Sequence, residues 1–233
     1  MLLSVFIKGI TMHNKISYIN NINFFKNLNE KQLQQLANIS NITTHSKNSI
    51  LYYENDTNSK IYFLASGLMK VYKIDKFDNE IFLYHIYENS MISELTTLNL
   101  DSIYCFSNAE FLEDGVILEI DYLKFREDFL AKNILNNEFI NEILLKTQQL
   151  HCVVNRELVY DATAKVAFML NDDLEMFNSL KRQEVSFMLH IQPETLSRVL
   201  KKLKRSEIIS IKSTKVNILN SKKLTNVYQG ENL

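Results

Sequence analysis

Cysteine, proline, glycine and tryptophan are scarce in this chain of 233 residues, which has two, one, four and none of them. Two cysteines, Cys105 and Cys152, cannot build a disulfide framework, and they lack the spacing of a metal-ligand pair. They also exclude a four-thiolate iron–sulfur cluster held within one chain. So few prolines and glycines exclude a collagen-like repeat and a low-complexity linker protein. No apolar run reaches the roughly 18 residues of a membrane-spanning helix, so no membrane association is expected. Residues 1–10 are apolar but interrupted by Lys8, without a basic leader or a small-residue cleavage site. They read as a tail, with Met12 as an alternative start, and the chain is expected in the cytoplasm. Charge of one sign is not in excess. Lys+Arg is 26 and Asp+Glu is 27, a net charge of −1, which excludes a uniformly basic nucleic-acid coat or an acidic tail protein. Gly-rich phosphate loops, metal motifs and nucleophile triads are missing as well, so no enzyme is expected.

The charge that is present is unevenly spread. Between Lys181 and Lys223 lie eleven Lys and Arg residues against Glu184, Glu194 and Glu207, a local charge of +8, so the rest of the chain sums to −9. Three of the five arginines, Arg182, Arg198 and Arg205, fall in this stretch, and none occurs in residues 1–125. Arginine is the side chain suited to bidentate contact with phosphate and guanine. A compact basic module on an acidic body points to a polyanion partner at one end of the molecule; a solvated lysine-rich face is the plain alternative.

Residues 29–39 predict a short helix that Asn29 can cap, with Leu33, Leu36 and Ala37 on one side. From about 42 to 120, short runs rich in Ile, Tyr, Phe, Leu and Val recur at 49–53, 60–65, 68–74, 80–87, 102–111 and 116–120, separated by Asn, Asp, Ser and Gly. This spacing predicts an antiparallel barrel or sandwich, with Gly67 supplying positive φ in a tight turn. From about 122 to 170 breakers vanish and a helical period takes over. Ile140, Leu144, Thr147, His151, Val154 and Leu158 step by 4, 3, 4, 3 and 4, an a/d seam nearly three heptads long. Such a stripe packs on its own domain or on a second copy. Polar residues on the other faces favour a two-stranded dimer helix.

The most specific pattern runs from Arg182 to Lys201. Val185, Leu189, Ile191, Leu196 and Val199 are apolar, Ser186 is small, and Pro193, the one proline, stands where a second helix should begin. These positions let two helices cross about a tight turn, and a proline costs nothing at a first helical position. Glu194, Ser197 and Arg198 then stand at i, i+3 and i+4 on one face. Gln192, Pro193, Glu194, Thr195, Ser197, Arg198, Lys201, Lys202 and Arg182 are the candidate DNA contacts. Lys204 and Arg205 extend the basic stripe, and 210–212 with 215–219 predict a hairpin wing turning at Ser213-Thr214.

Strand-rich domain, long helix and winged helix-turn-helix together resemble the Crp/Fnr family of bacterial transcription regulators. The run Pro193-Glu194-Thr195-Leu196-Ser197-Arg198 is similar to the Glu-Thr-(Ile/Val)-Ser-Arg core of many Fnr-type members, and 158–170 resembles the family's hinge and first DNA-domain helix. His190 departs from the Gly usual in the turn. The resemblance implies an α+β chain: a tail (1–20), a cyclic-nucleotide-binding-like jelly-roll β-barrel for an effector (21–121), a dimerisation helix (122–160) and a winged helix-turn-helix domain (161–233). It implies a homodimer on double-stranded DNA at a palindromic operator, RNA polymerase as partner and activation as the commoner outcome.

The effector stays open. Ser93-Glu94-Leu95 keeps the Glu of the family's Gly-Glu-Leu ribose turn but loses the Gly, and the phosphate-binding Arg is missing, so cAMP is not expected. Glu94 and Cys105 are the candidate effector residues; an ordinary surface carboxylate and a buried, inert thiol are the alternatives, the latter also for Cys152. Haem is left open, with His45, His85 and His151 as candidate ligands. Missing cluster cysteines and a missing cyclic-nucleotide Arg resemble the nitrosative-stress branch of the family. A reading of another class is a barrel-type interaction module whose basic tail binds RNA or protein; the helix-turn-helix positions argue against it.

Overall fold

A computed structural model describes residues 12–229. Residues 1–10, expected as a tail, lie outside them. The chain divides into two compact units, residues 1–149 and 150–233; the boundary falls inside a helix rather than at the expected 160/161.

The first unit opens with α1 (Met12–Asn21) and α2 (Glu30–Asn38), joined by a single 3₁₀ turn. Residues 12–20 are therefore helical rather than tail, because Ile16, Ile19 and Ile22 recur on one face and pack into the core. Asn29 caps α2 as expected: its side chain accepts from the Gln32 N–H while the Gln32 side chain accepts from the Asn29 N–H, worth about 1 kcal/mol.

Ten strands follow: β1 (Ser40–His45), β2 (Ile50–Tyr52), β3 (Thr57–Asn58), β4 (Lys60–Ser66), β5 (Leu68–Ile74), β6 (Glu80–Tyr87), β7 (Ser90–Met91), β8 (Ile103–Tyr104), β9 (Asn108–Phe111) and β10 (Gly115–Asp121). They form antiparallel sheets ordered β1-β10-β4-β7 and β2-β9-β5-β6, with β3-β8 apart. Alternation along β4 explains the layering. Ile61 and Phe63 point to a core shared with α1 and α2, whereas Tyr62 and Leu64 join Met69, Val71, Ala109 and Phe111 of the other sheet. Gly67 adopts φ +102 between β4 and β5, and a Cβ there would lie 2.9 Å from the Asp114 carbonyl oxygen, so no other residue fits the turn without strain.

Two strand predictions are corrected. The polar strand β1 was not foreseen; six residues pair in register with β10. The run 102–111 is two strands rather than one, because Phe106 and Ser107 between them direct their N–H and hydroxyl to Glu94.

The expected single helix over 122–160 is also interrupted. After α3 (Tyr122–Phe125) and a π turn over Arg126–Leu130, Asn133 and Leu135 take positive φ and end the run. Leu135 and Phe139 are buried in the first unit's core, and that burial offsets the turn that periodicity alone does not predict. The long helix is α4 (Asn136–Val154), followed by a π turn over Asn155–Val159.

The second unit contains α5 (Ala162–Asp172), α6 (Leu174–Ser179), α7 (Arg182–Met188), α8 (Pro193–Arg205), β11 (Ile209–Lys212), β12 (Lys215–Ile218) and α9 (Ser221–Gln229). Asp161 and Asp173 cap α5 and α6 by accepting from the N–H groups of Ala164 and Met176. A single core of Val166, Leu170, Phe177, Val185, Leu196, Leu203, Val216 and Leu224 draws on all of these helices and on the wing. No helix among the described residues is long and apolar enough to cross a membrane.

Candidate nucleic-acid interface

Helices α7 and α8 meet about the expected turn. Val185, Leu189, Leu196 and Val199 are buried between them, Ser186 is buried with its hydroxyl donating to the Gln183 carbonyl, and Ile191 is partly buried. Pro193 is the first residue of α8, and Gln192 before it is extended. His190 takes φ +52, so the left-handed turn is kept without glycine. Histidine enters this region more readily than most residues.

Helix α8 has two clearly different sides. Leu196, Val199, Leu200 and Leu203 are buried, and Glu194, Ser197, Arg198, Lys201 and Arg205 are exposed along the opposite side. At about 100° per residue these five fall within one sector. Gln192, Pro193 and Lys202 are exposed and Thr195 is half-buried; the Thr195 hydroxyl accepts from the Arg198 guanidinium at 3.1 Å. Lys202, Lys204 and Arg205 in the last turn also complement the negative helix end. The wing closes through Ser213, at φ +56, with Lys212 opposite Lys215. Of the basic residues between Lys181 and Lys223, all but Arg182 are exposed, so the local charge faces solvent and is available to a polyanion.

Arg182 is placed differently from the other expected contacts. Its guanidinium donates to the Thr214 carbonyl at 2.6 Å and stacks on Phe177 at 4.5 Å, tying the start of α7 to the wing. One further wing support and one aromatic cluster were not read from sequence. Asn178 donates to the Val216 carbonyl at 2.9 Å and accepts from the Val216 N–H at 2.8 Å. On the far side of α5, Phe168 and Tyr160 pack against Tyr228 of α9.

Residues 166–227 match the sequence model of a Crp-like helix-turn-helix domain, and residues 42–132 match that of a cyclic nucleotide-binding domain. The chain belongs to the Crp/Fnr family. It is a DNA-binding transcriptional regulator of that type. It is 21% identical over 187 residues to the anaerobic regulatory protein of Bacillus subtilis (strain 168), covering 76% of this chain and 78% of the relative. Among solved structures it resembles a CooA variant from Carboxydothermus hydrogenoformans, with TM-score 0.69, 18% identity and coverage of 88% and 94% of the two chains. FixK2 from Bradyrhizobium japonicum gives TM-score 0.60 and 17% identity, with coverage of 81% and 97%. At these identities the solved structures speak for the fold alone.

In the strand-rich half of this Crp/Fnr chain, Glu94 is not an ordinary surface carboxylate. It accepts from the Tyr84 hydroxyl at 3.0 Å, the Ser107 hydroxyl at 2.8 Å and the Phe106 N–H at 3.2 Å. Burial and then Glu94 itself push the Tyr84 phenol far up. The cation facing this group is Lys146 of α4, whose ammonium lies 5.3 Å from the centre of the Tyr84 ring. Burial lowers Lys146 to about 8, against the opposing pull of Glu94 and Glu142. Arg126 is committed elsewhere, donating to the carbonyls of Leu98 and Leu100 and to Asp101. The Tyr52 hydroxyl is buried and has no hydrogen-bond partner among the described residues. Lys146 was not expected here, since arginine is the cation associated with a phosphate site; its period-3/4 spacing from Phe139 and Glu142 is the signal the sequence carries.

Cys105 is buried, accepts from the Asn58 amide at 3.2 Å, and is pushed up to about 11 by that burial. At pH 8 only about one molecule in a thousand then carries the reactive thiolate. An aromatic disulfide reagent is accordingly expected to modify Cys105 at least about a hundredfold more slowly in the folded regulator than in the unfolded chain. Mass-resolved labelling at pH 8 checks this, and equal rates in both states would contradict the buried placement. Cys152 on α4 is half-buried and also raised, by burial and then by Asp172. The three histidines weighed as haem ligands lie on separate elements. His45 stacks on Phe111 at 4.8 Å, His85 sits beside Phe82, and His151 is exposed on α4. Among the described residues no group of three or more His, Cys, Asp or Glu side chains is placed to hold a metal ion.

The stripe expected at a dimer seam faces outward. Ile140 is 54% exposed, Leu144 60%, Val154 48% and Leu158 81%, with Thr147 and His151 exposed among them. The opposite side of α4 carries the buried Phe139 and the half-buried Glu142, Lys146 and Gln149.

Proposed function

We propose that this regulator works as a homodimer on a palindromic duplex, with one α8 in the major groove of each half-site. The observation that carries the reading is the exposed line Glu194, Ser197 and Arg198 on a helix whose other side is buried. Arg198 can donate twice to guanine O6 and N7, Glu194 can accept from cytosine N4, and Ser197 can bond a base edge or a phosphate. Gln192, Pro193 and Thr195 stand at the helix start, which enters the groove first. Lys201, Lys202, Lys204 and Arg205 supply phosphate affinity that weakens with salt. Arg182 is left to hold the wing.

The exposed apolar stripe on α4 and the π turn after it supports the dimer, since side chains such as Leu144 and Leu158 gain by leaving water together. Two-fold symmetry then sets half-site centres roughly 34–36 Å apart. Activation through RNA polymerase and a cytoplasmic setting follow from the family's usual mode of action. The anaerobic regulatory relative supports a response to a redox condition, received in the strand-rich half. The burial of Cys105 does not support its thiol as the route.

The test is a selection from randomised duplexes with the purified protein at fixed salt. A palindrome with two half-sites about one helical turn apart is expected. Recovery of a single unpaired half-site would overturn the dimeric reading, and enrichment of structured RNA over duplex in a parallel selection would overturn the DNA reading.

A further inference from the structure

The turn between α7 and α8 rests on a charged support that comes from outside the two helices. His190, in that turn, holds φ +52, a conformation that favours glycine. Its Nδ1 lies 2.9 Å from Glu157 Oε2. Glu157 belongs to the π turn that follows α4, 33 residues away in sequence. The same carboxylate accepts from Arg156 Nε at 2.6 Å and lies 3.6 Å from Lys165 Nζ of α5. Lys165 in turn donates to the Leu189 carbonyl at 3.2 Å. Arg156, Lys165 and His190 are thus the charged or titratable groups around Glu157 among the described residues; His190 is an exposed residue, but the four side chains are each about a quarter exposed or less. Burial by itself would raise the Glu157 carboxyl, but the hydrogen bonds from Arg156 and His190 outweigh it and hold the group below its usual range.

We propose that Glu157 and His190 form a positioning pair that sets the placement of α8 for base reading, by anchoring the α7–α8 turn to the segment that follows α4. A glycine would satisfy the backbone at position 190 better than histidine does, so backbone conformation does not account for the side chain found there. What histidine adds is an imidazole within hydrogen-bond distance of the one carboxylate that also gathers Arg156 and Lys165. The residue before it, Leu189, is held by Lys165, so the turn is gripped at two successive positions by groups from one ionic cluster. Neither Glu157 nor His190 lies on the exposed line of α8, and the pair acts through Arg198 and its neighbours. This inference rests on the assignment of α8 as the base-reading helix.

The experiment compares wild type, His190→Gly, Glu157→Gln and the double variant, each measured against the selected duplex and against a scrambled duplex at the same salt. His190→Gly relieves the backbone, so a merely structural role predicts an unchanged or higher melting temperature and unchanged binding. The positioning role predicts that each single variant loses roughly five- to tenfold in affinity for the selected duplex, that the double variant loses no more than either, and that affinity for the scrambled duplex is kept. Wild-type discrimination in His190→Gly would overturn the pair. So would equal losses on both duplexes accompanied by a lower melting temperature. Arg198→Ala, run beside them, separates the two assignments. If it keeps its discrimination, the reading of α8 itself fails. If it loses discrimination while His190→Gly does not, the pair alone fails.

Discussion

Replacing Arg198 by alanine is expected to cost about 1–3 kcal/mol on the selected duplex and to relax preference at one base pair of each half-site. The side chain is exposed on α8, and its one protein partner among the described residues is the Thr195 hydroxyl. Folding therefore does not depend on it, and the melting temperature should hold. The loss is specific because a guanidinium that meets guanine at two acceptors has no equivalent fit to the other bases. Lys201→Ala provides the contrast. It should weaken selected and scrambled duplexes alike and reduce the salt slope by about one. Binding to single-base variants of the operator, measured across a salt series, separates the two effects. An Arg198→Ala protein with an unchanged base preference would remove Arg198 from the reading face.

Leu144→Glu is expected to have the larger effect on overall binding. Leu144 is 60% exposed on α4, so a carboxylate there costs the isolated protomer little. In a two-fold interface the same substitution sets two like charges close together in a surface that should be dry, where neither is paired. Sedimentation is expected to report a dimer for the wild type and a monomer for the variant. Affinity for the full palindrome should fall by about 10²- to 10⁴-fold, because the second half-site contact is no longer tethered to the first. Binding to an isolated half-site should be unchanged. Thr147, in the middle of the stripe, offers a milder comparison, since its hydroxyl already donates to the Ile143 carbonyl. A Leu144→Glu protein that sediments as a dimer would place the interface elsewhere.

Local rules account for the parts of this protein that could be read early. Asn29 caps α2 and Pro193 opens α8. Each depends on residues within about four positions of one another, and so does the alternation that places β5 and β6. The two faces of α8 belong to the same class, because a 3.6-residue period is written in the order of the residues. The fold departs from these local rules where a local preference lost to a distant partner. Breakers are absent between Tyr122 and Asn136, yet the chain turns there because Leu135 and Phe139 are worth more inside the core than on a continuous helix. The run Ser40–His45 has β-branched residues at Ile42, Thr43 and Thr44 but no apolar alternation to mark it, and it becomes a strand because β10 supplies a complete register of partners.

The exposed polar line of α8, the basic character of the C-terminal segment and the apolar stripe of α4 were determined by the sequence itself, because periodicity and charge need no knowledge of distant contacts. The tertiary structure alone decided which charged side chains are committed inside the protein. Arg182 is taken up by the wing carbonyl of Thr214, 32 residues away, and Glu157 by His190, 33 residues away. Lys146 is set over Tyr84 by the packing of a helix against strands. A charge count treats all of these as equivalent solvated groups. They differ because folding removes some of them from water, and a charge removed from water has to find a specific partner.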